Sequence, residues 1–244
     1  DITIKQAQLH IIMTWLYLAI NVFTISFPLV RSFEKRIEYY KKWYALFPAI
    51  IITGTFFIVW DVIFTRNGVW GFNDDYLVGL RIFHLPIEEW LFFVTVPFAS
   101  VFIYECLGYF FPNISNSKLL FPIIIVFGFL LMVLSIINRD QAYTFWCFLF
   151  TGIFLIFLSY FKPVWLMKFF ISYIIHLVPF LLVNGILTGA FTKEPIVWYN
   201  DMENFGVRIF TIPIEDTIYA LLLLLMNIAL YELFQEKFKQ TIKS

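Results

Sequence analysis

Two pairs of adjacent carboxylates are the residues best suited to chemistry in this sequence. The segment Gly79–Glu89 reads GLRIFHLPIEE, and the segment Gly206–Asp216 reads GVRIFTIPIED. Two carboxyl groups brought together in apolar surroundings cannot both ionise cheaply, so one of them is held protonated near neutral pH. A neutral carboxylic acid beside a carboxylate is suited to general acid–base catalysis on an apolar substrate.

The two segments belong to a longer internal repeat. Residues 64–105 match residues 191–232 at a constant offset of 127, with 13 identities in 42 positions. The identities include Asn, Asp, Arg, Pro and Glu, whereas unrelated membrane helices would share only apolar residues. The sequence therefore predicts a duplicated protein whose halves present the same carboxylate motif.

Composition predicts an all-α, polytopic membrane protein. The 244 residues are 61% hydrophobic and 14% charged, with a mean hydropathy of +0.83, far from the average of soluble domains. Spanning a bilayer takes about 20 apolar residues. Seven transmembrane helices are predicted, over 8–29, 44–65, 86–110, 119–137, 142–161, 165–187 and 213–235. The first span lacks the features of a removable signal peptide.

The predicted spans divide as three, one and three. Residues 1–118 form the first three-helix repeat, 119–137 the linking helix, and 138–244 the second repeat. Because one linking helix restores the direction of the chain, the repeats should be parallel about a pseudo-twofold axis along the membrane normal. Glu88 and Glu215 should then lie at similar depth in one shared, Phe-lined, lipid-accessible cavity.

The distribution of basic residues predicts the orientation. The loop 31–42 carries five Lys and Arg residues and should be cytoplasmic. With seven spans, 11 basic residues lie inside and 6 outside. The N-terminus is then outside the cell membrane and the C-terminus cytoplasmic, and the loops 66–85 and 193–212 lie on the outer face.

The acids also have a purely structural interpretation. Pro86 and Pro213 suit the first position of a helix, where a missing N–H costs nothing. Acids in the following first turn are favoured by the helix dipole. Ionisable residues at membrane depth are nevertheless functional candidates by default, and the duplication of the whole motif favours function. The catalytic candidates are Glu88, Glu89, Glu215 and Asp216.

The paired Pro-x-Glu-Glu and Pro-x-Glu-Asp motifs, the segments before them and the three-one-three layout resemble the membrane-embedded lycopene cyclases. This family occurs as two small subunits in some bacteria and as one fused chain in archaea, other bacteria and fungi. The resemblance covers essentially the whole chain. It implies cyclisation of one or both ends of lycopene to γ- or β-carotene. Members that make ε-rings or act on longer carotenoids leave the product open.

The residues agree with that reaction. A proton adds at C2 of the acyclic end, C1 becomes cationic, C6 bonds to C1, and a proton leaves C6, so no electrons are consumed. The sequence has no Gly-x-Gly-x-x-Gly loop, and no cofactor is expected. Glu88 or Glu215 is the predicted acid, with Glu89 or Asp216 as its coupled partner. Aromatic faces could stabilise the cation, and 32 Phe residues supply them, although most should face lipid.

Five further polar residues are candidates for lining or supporting the cavity. Arg81 and Arg208 could tether the acids or anchor the outer loops, and both alternatives stay open. His176, Asn184 and Asp61 could line the cavity, although a hydrogen bond to a neighbouring helix is the commoner role of such residues.

The repeat also predicts contacts at the opposite interface. Tyr104-Glu105 and Tyr231-Glu232 follow the motif prolines by 18 residues. At 1.5 Å per residue this is about 27 Å along a helix. These pairs should therefore form boundary or inter-repeat contacts.

Two other functions fit the architecture. Small-solute transporters share the three-plus-one-plus-three arrangement, and a non-catalytic carotenoid-binding protein would have the same composition. The span 213–235 contains no Lys, which excludes a retinal Schiff base. Scattered His and isolated Cys residues predict no metal site. The expected partners are lycopene, membrane lipid and carotenoid-pathway enzymes, and no nucleic acid.

Overall fold

A computed structural model describes residues 13–243, of which the side chains of residues 242 and 243 are not described. Seven α-helices within this range confirm the predicted all-α class: α1 Leu16–Arg31, α2 Trp43–Arg66, α3 Ile87–Phe110, α4 Leu120–Ile137, α5 Ala142–Phe161, α6 Leu166–Leu187 and α7 Ile214–Lys243. Short 3-10 turns cover Tyr39–Lys42 and Asp74–Tyr76.

Six of these helices, α2 to α7, are long and apolar enough to cross a membrane. The first helix, α1, is apolar and has 16 residues. At 1.5 Å per residue it extends about 24 Å. The predicted first span begins at residue 8, so its start, together with Lys5 and His10, lies outside the described residues.

The helices that carry the motif acids, α3 and α7, have equivalent neighbours in the two repeats. Within each repeat the first helix packs on the motif helix, α1 on α3 and α5 on α7. Across the repeats, α2 packs on α7 and α6 packs on α3. The linking helix α4 packs against α5 and leaves most of its surface outward. The two motif helices are therefore held between both halves of the chain.

Six short strands lie before the motif helices. The first pair, β1 Trp70–Phe72 and β4 Val197–Tyr199, joins the two repeats. Two hairpins, each within one repeat, are formed by β2 Arg81–Ile82 with β3 Leu85–Pro86 and by β5 Arg208–Ile209 with β6 Ile212–Pro213. Pro86 and Pro213 each end a strand, and α3 and α7 begin at the next residue. Each proline therefore lies just before its helix and not at the predicted first helical position.

The strand pairing between the repeats is itself pseudo-symmetric. Gly71 pairs with Trp198, and these two residues are separated by the repeat offset of 127. On either side Trp70 pairs with Tyr199 and Phe72 pairs with Val197, in an antiparallel register. Both loops must therefore lie on one face, here called the motif face, as parallel repeats require.

The other ends of the motif helices exchange hydrogen bonds. The Tyr104 hydroxyl donates to Glu232, and the Tyr231 hydroxyl donates to Glu105 Oε1 at 2.8 Å. Each repeat thus gives the other the same donor and acceptor. This exchange confirms the predicted inter-repeat contact.

The linking helix α4 is held to α5 by two glycines. An added Cβ at Gly152 would lie 2.6 Å from the carbonyl oxygen of Gly128. An added Cβ at Gly128 would lie 3.0 Å from the carbonyl oxygen of Gly152. The two backbones therefore touch, which is how small residues bring membrane helices together.

We expect Gly152→Ala to destabilise the protein, because the added methyl group meets backbone that cannot rotate away. Overpacking of this kind costs about 1–3 kcal/mol. The measurement is the thermal unfolding midpoint of the detergent-solubilised protein. Gly54→Ala is the matched control, since its Cβ would meet nothing closer than 3.7 Å. Equal midpoints for the two variants would contradict the backbone contact.

Candidate functional site

The outer loops are held by the two arginines that precede the motifs. Arg81 Nη1 donates to the His84 carbonyl at 3.0 Å, and Nη2 donates to Asp74 Oδ1 at 2.5 Å. The equivalent Arg208 donates to the Thr211 carbonyl and, at 2.5 Å, to Asp201 Oδ1. Of the two alternatives for these arginines, the structure therefore shows loop anchoring. Neither guanidinium contacts a motif acid in these bonds.

The hydrogen bonds around Arg208 lower the pKa of Asp201. Hydrogen bonds from Arg208 and Asn204 hold the pKa of Asp201 below its usual value. Asp201 lies on the loop outside the membrane spans. Its contribution to stability is therefore present at neutral pH and is lost as the pH falls through the lowered pKa.

The first acid of each motif binds the loop backbone. Glu88 Oε1 accepts from the Val78 amide at 2.7 Å, and Glu215 Oε1 accepts from the Phe205 amide at 2.6 Å. Both side chains are fully buried. In the described part of the chain, the Oε2 atom of each has no hydrogen-bond partner. Thr144 adds one bond to Glu215 at 2.6 Å.

The second acid of each motif points elsewhere, into a cavity shared by the two repeats. Glu89, Asp216 and Asp61 line this cavity, whose volume is about 60 Å³. All three are buried. We call it the acid cavity. Its lining includes four Tyr, three Phe and one Trp residues: Tyr17, Tyr143, Tyr199, Tyr219, Phe72, Phe92, Phe180 and Trp70.

The site thus differs from its predicted arrangement in two respects. Glu88 and Glu215 do not line the shared cavity, because each is bonded to the loop that precedes its helix. The cavity wall is also richer in tyrosine than in phenylalanine. Buried carboxylates need hydrogen-bond donors, which Phe cannot supply.

Tyrosines from the first helix of each repeat bind the cavity acids. The Tyr17 hydroxyl donates to Glu89, and the Tyr143 hydroxyl donates to Asp216 Oδ1 at 2.6 Å. These tyrosines are separated by 126 residues, one fewer than the motif offset. They therefore occupy equivalent positions, and each supplies one donor to the acid of its own repeat.

Asp216 receives two more hydrogen bonds than Glu89. The Tyr199 hydroxyl lies 2.9 Å from Asp216 Oδ2, and Asn184 Nδ2 lies 2.7 Å from the same oxygen. Burial raises the pKa of Tyr199, which lies on a strand outside the spans, well above its ordinary value. The phenol therefore remains a hydrogen-bond donor at neutral pH.

Asp61 adds a third carboxyl group to the acid cavity. The Trp70 indole N–H donates to Asp61 Oδ1. Asp61 Oδ2 has no partner among the described residues. The Trp70 ring lies 5.0 Å from the Tyr143 ring and 6.2 Å from the Tyr219 ring, centroid to centroid. The acid cavity therefore combines three carboxyl groups with packed aromatic rings.

A larger apolar groove adjoins the acid cavity. It lies between α1, α3 and α6 and has a volume of about 410 Å³. Phe92, Val96, Phe180 and Asn184 line both spaces. His176 lies in the groove wall, with Nδ1 2.9 Å from Ser100 Oγ. Its Nε2 atom has no partner within residues 13–243.

Of the nine candidate residues from the sequence, the structure brings four into the acid cavity, namely Glu89, Asp216, Asp61 and Asn184. Two acids support the loops, two arginines anchor them, and the histidine lines the groove. No group of three or more His, Cys, Asp or Glu side chains in the described range is placed to hold a metal ion.

Sequence reasoning missed the tyrosines and the tryptophan of the cavity. The identity of Tyr17 and Tyr143 at an offset of 126 was the available signal. This pair does not share the motif offset of 127, because the second repeat has one more residue than the first between its tyrosine and its motif. Tyr199 and Trp70 have no such signal, since neither is repeated at the corresponding position.

Comparison with known proteins identifies relatives of this chain. It is 30% identical over 80 residues to the bifunctional lycopene cyclase/phytoene synthase of Leptosphaeria maculans, covering 33% of this chain and 13% of that protein. The proteins of the same description from Pyrenophora tritici-repentis and Gibberella fujikuroi are 26% identical over 98 residues and 28% identical over 102 residues. These two matches cover 40% and 39% of this chain.

The chain matches 13 to 17% of the length of these curated relatives. No solved structure matches it. A sequence model described as lycopene cyclase matches residues 14–107 and 140–234, which is most of the chain. Each matched segment contains one Pro-Ile-acid-acid motif and most of the helix that follows it. The chain belongs to the lycopene cyclase family.

Proposed function

We propose that this chain cyclises the acyclic ends of lycopene to β-type rings, by proton addition and proton loss without net oxidation or reduction. The observation that carries the proposal is the meeting of Glu89 and Asp216, one from each repeat, in a single aromatic-lined cavity beside an apolar groove. Membership of the lycopene cyclase family and the names of its curated relatives support the substrate class.

The reaction requires one proton donor and one proton acceptor. A carboxylic acid protonates C2, and the electron pair of the C1–C2 double bond forms the new C–H bond. The cation at C1 is captured by the C5–C6 double bond, which makes the C1–C6 bond and leaves a cation at C5. Loss of the C6 proton to a carboxylate then forms the C5–C6 double bond of a β-ring.

Hydrogen bonding distinguishes the two acids. Asp216 accepts bonds from Tyr143, Tyr199 and Asn184, which stabilise a negative charge on it. Glu89 accepts one such bond, from Tyr17. We therefore assign Glu89 as the proton donor and Asp216 as the acceptor. This assignment replaces the first acid of each motif by the second as the group that faces substrate.

The protonation states of the donor and the acceptor must be restored after each turnover. The proton lost from C6 is then on Asp216, while Glu89 is deprotonated. A cavity of about 60 Å³ has room for water once product leaves, since one water needs about 10–15 Å³. A proton can therefore return to Glu89 without a cofactor.

Glu88 and Glu215 act in this proposal as positioning residues. Each accepts an amide N–H from the loop before its helix, at Val78 and Phe205 respectively. They fix the start of α3 and α7 against the loops, and so fix the direction of the acids that follow them. They do not exchange protons with the substrate.

The aromatic wall has a chemical role in the same scheme. The cations at C1 and C5 need stabilisation from groups that do not bond to carbon. The faces of Tyr219, Trp70 and Phe92 line the acid cavity and meet this requirement. A non-catalytic carotenoid-binding protein would need no buried pair of acids.

We expect the purified chain in lipid vesicles to convert lycopene to cyclic carotenoids without added flavin or nicotinamide, because the scheme consumes no electrons. Pigments are separated by chromatography, and expression in a lycopene-accumulating bacterium gives the parallel measurement in cells. Vesicles without protein are the control. Unchanged lycopene in the presence of folded, membrane-inserted chain would refute the activity, as would strict dependence on a reduced cofactor.

The two acids of each motif should respond differently to neutralisation. We expect Glu89→Gln and Asp216→Asn to lower turnover by about 10²–10⁴, the usual effect of losing a general acid or base. Initial rates are measured at equal membrane abundance. Both substitutions remove the exchangeable carboxyl proton and keep the size of the side chain.

Glu88→Gln is the matched control, since an amide oxygen can still accept from the Val78 N–H. We expect its rate to fall by less than about tenfold, a barrier change below about 1.4 kcal/mol. Its thermal midpoint should fall, because the amide places N–H groups at a buried position without an acceptor. A large loss at Glu88 together with normal turnover at Glu89 would reverse the proposed roles.

A further inference from the structure

We propose that the substrate end enters the acid cavity sideways from the bilayer, through the groove between α1, α3 and α6, and that the equivalent groove of the second repeat does not reach this cavity. This inference rests on the proposed function and assigns its substrate route. The groove, here called the entry groove, is lined by residues that include Thr24, Phe27, Ala99, Phe102, Pro179 and Phe180.

The entry groove and the acid cavity share four lining residues. Phe92 and Val96 of α3 line both spaces, as do Phe180 and Asn184 of α6. The acid cavity alone, at about 60 Å³, is too small for a branched carotenoid end, because ligand pockets typically enclose about 300–1,000 Å³. The entry groove, at about 410 Å³, supplies the missing space.

The chemistry of the groove fits a linear hydrocarbon. Its wall is almost entirely apolar. Phe23 and Phe27 are largely exposed at its outer edge, on the surface that faces the bilayer. A carotenoid dissolved in the membrane can follow this wall without crossing the polar loops of the motif face. The acids then meet the end of the chain while the rest of the polyene stays in lipid.

In the second repeat, the part of the corresponding gap that lies beside the acid cavity, between α5, α7 and α2, is filled by aromatic rings. Farther along the same helices lies a groove of about 730 Å³, but none of its lining residues lines the acid cavity. The Phe150 ring of α5 lies 5.9 Å from the Phe56 ring and 5.3 Å from the Trp60 ring of α2. The Trp60 ring lies 5.2 Å from the Tyr219 ring of α7. These packed rings close the gap beside the acid cavity.

Two matched positions differ in side-chain size in the direction of this difference. Thr24 and Phe150 are equivalent at the first-helix offset of 126, and Ala99 and Met226 are equivalent at the motif offset of 127. The open side therefore has the smaller residue in both cases. The Thr24 hydroxyl is bonded to the Ile20 carbonyl of its own helix at 2.8 Å, so it adds no unmet polar group to the groove.

The test gives the open side the residues of the closed side. Thr24→Phe combined with Ala99→Met should lower the initial rate of lycopene consumption in vesicles by about tenfold or more, which corresponds to a modest rise of the barrier. Val22→Phe is the matched control, because it adds the same ring to α1 at an exposed position that does not line the groove. It should keep the parental rate.

A second measurement avoids any effect on folding. Thr24→Cys and Val22→Cys are made in a Cys106→Ser chain, in which the remaining Cys147 is buried. Each folded protein is assayed before and after reaction with a bulky, lipid-soluble maleimide. Modification at position 24 should lower the rate by about tenfold or more, and modification at position 22 should not.

The outcomes separate the two proposals. If the parental chain makes no cyclic carotenoid, the proposed function fails. If the parental chain is active and both the doubly substituted protein and the protein modified at position 24 retain the parental rate, the entry groove is not the route. Equal losses from modification at positions 22 and 24 would also overturn it, because only position 24 lines the groove.

Discussion

The arrangement of the site depends on hydrogen-bond donors for carboxyl groups that are buried among membrane helices. A buried carboxylate without partners is costly, and the cost is higher where water is absent. Here loop amides bind Glu88 and Glu215, while phenols bind Glu89 and Asp216. The hairpins, their arginine clamps and the strand pair between the repeats hold those donors in place. The loops and strands of the motif face therefore position the groups of the site.

The two adjacent acids of each motif point in different directions because of helix geometry. Successive residues point about 100° apart around an α-helix, since one turn takes 3.6 residues. Glu88 consequently turns to the preceding loop when Glu89 turns to the interior, and Glu215 and Asp216 repeat the arrangement. A Pro-Ile-acid-acid motif thus places one acid against the preceding loop and the next in the acid cavity.

Duplication brought the two acids together, and later divergence made their surroundings unequal. The second acid of each motif accepts a hydrogen bond from a tyrosine in the first helix of its own repeat, and Asp216 also accepts bonds from Tyr199 and Asn184. Divergence likewise left one side groove sharing its wall with the acid cavity, whereas aromatic rings pack beside the cavity in the other repeat. Acid–base chemistry on an asymmetric substrate end needs such inequality, because donor and acceptor must differ.

The sequence alone determined the membrane class, the duplication, the paired acids and the repeated Tyr-Glu pairs, because these depend on composition and on residues repeated at fixed offsets. It left boundary and inter-repeat contacts open for the Tyr-Glu pairs, and the structure shows that they bond across the repeats. Only the tertiary structure decided which acid of each pair faces the cavity. Membrane helices are apolar around most of their surface, so the pattern of α3 does not reveal its rotation about its axis. The cavity tyrosines and the open groove follow from that packing.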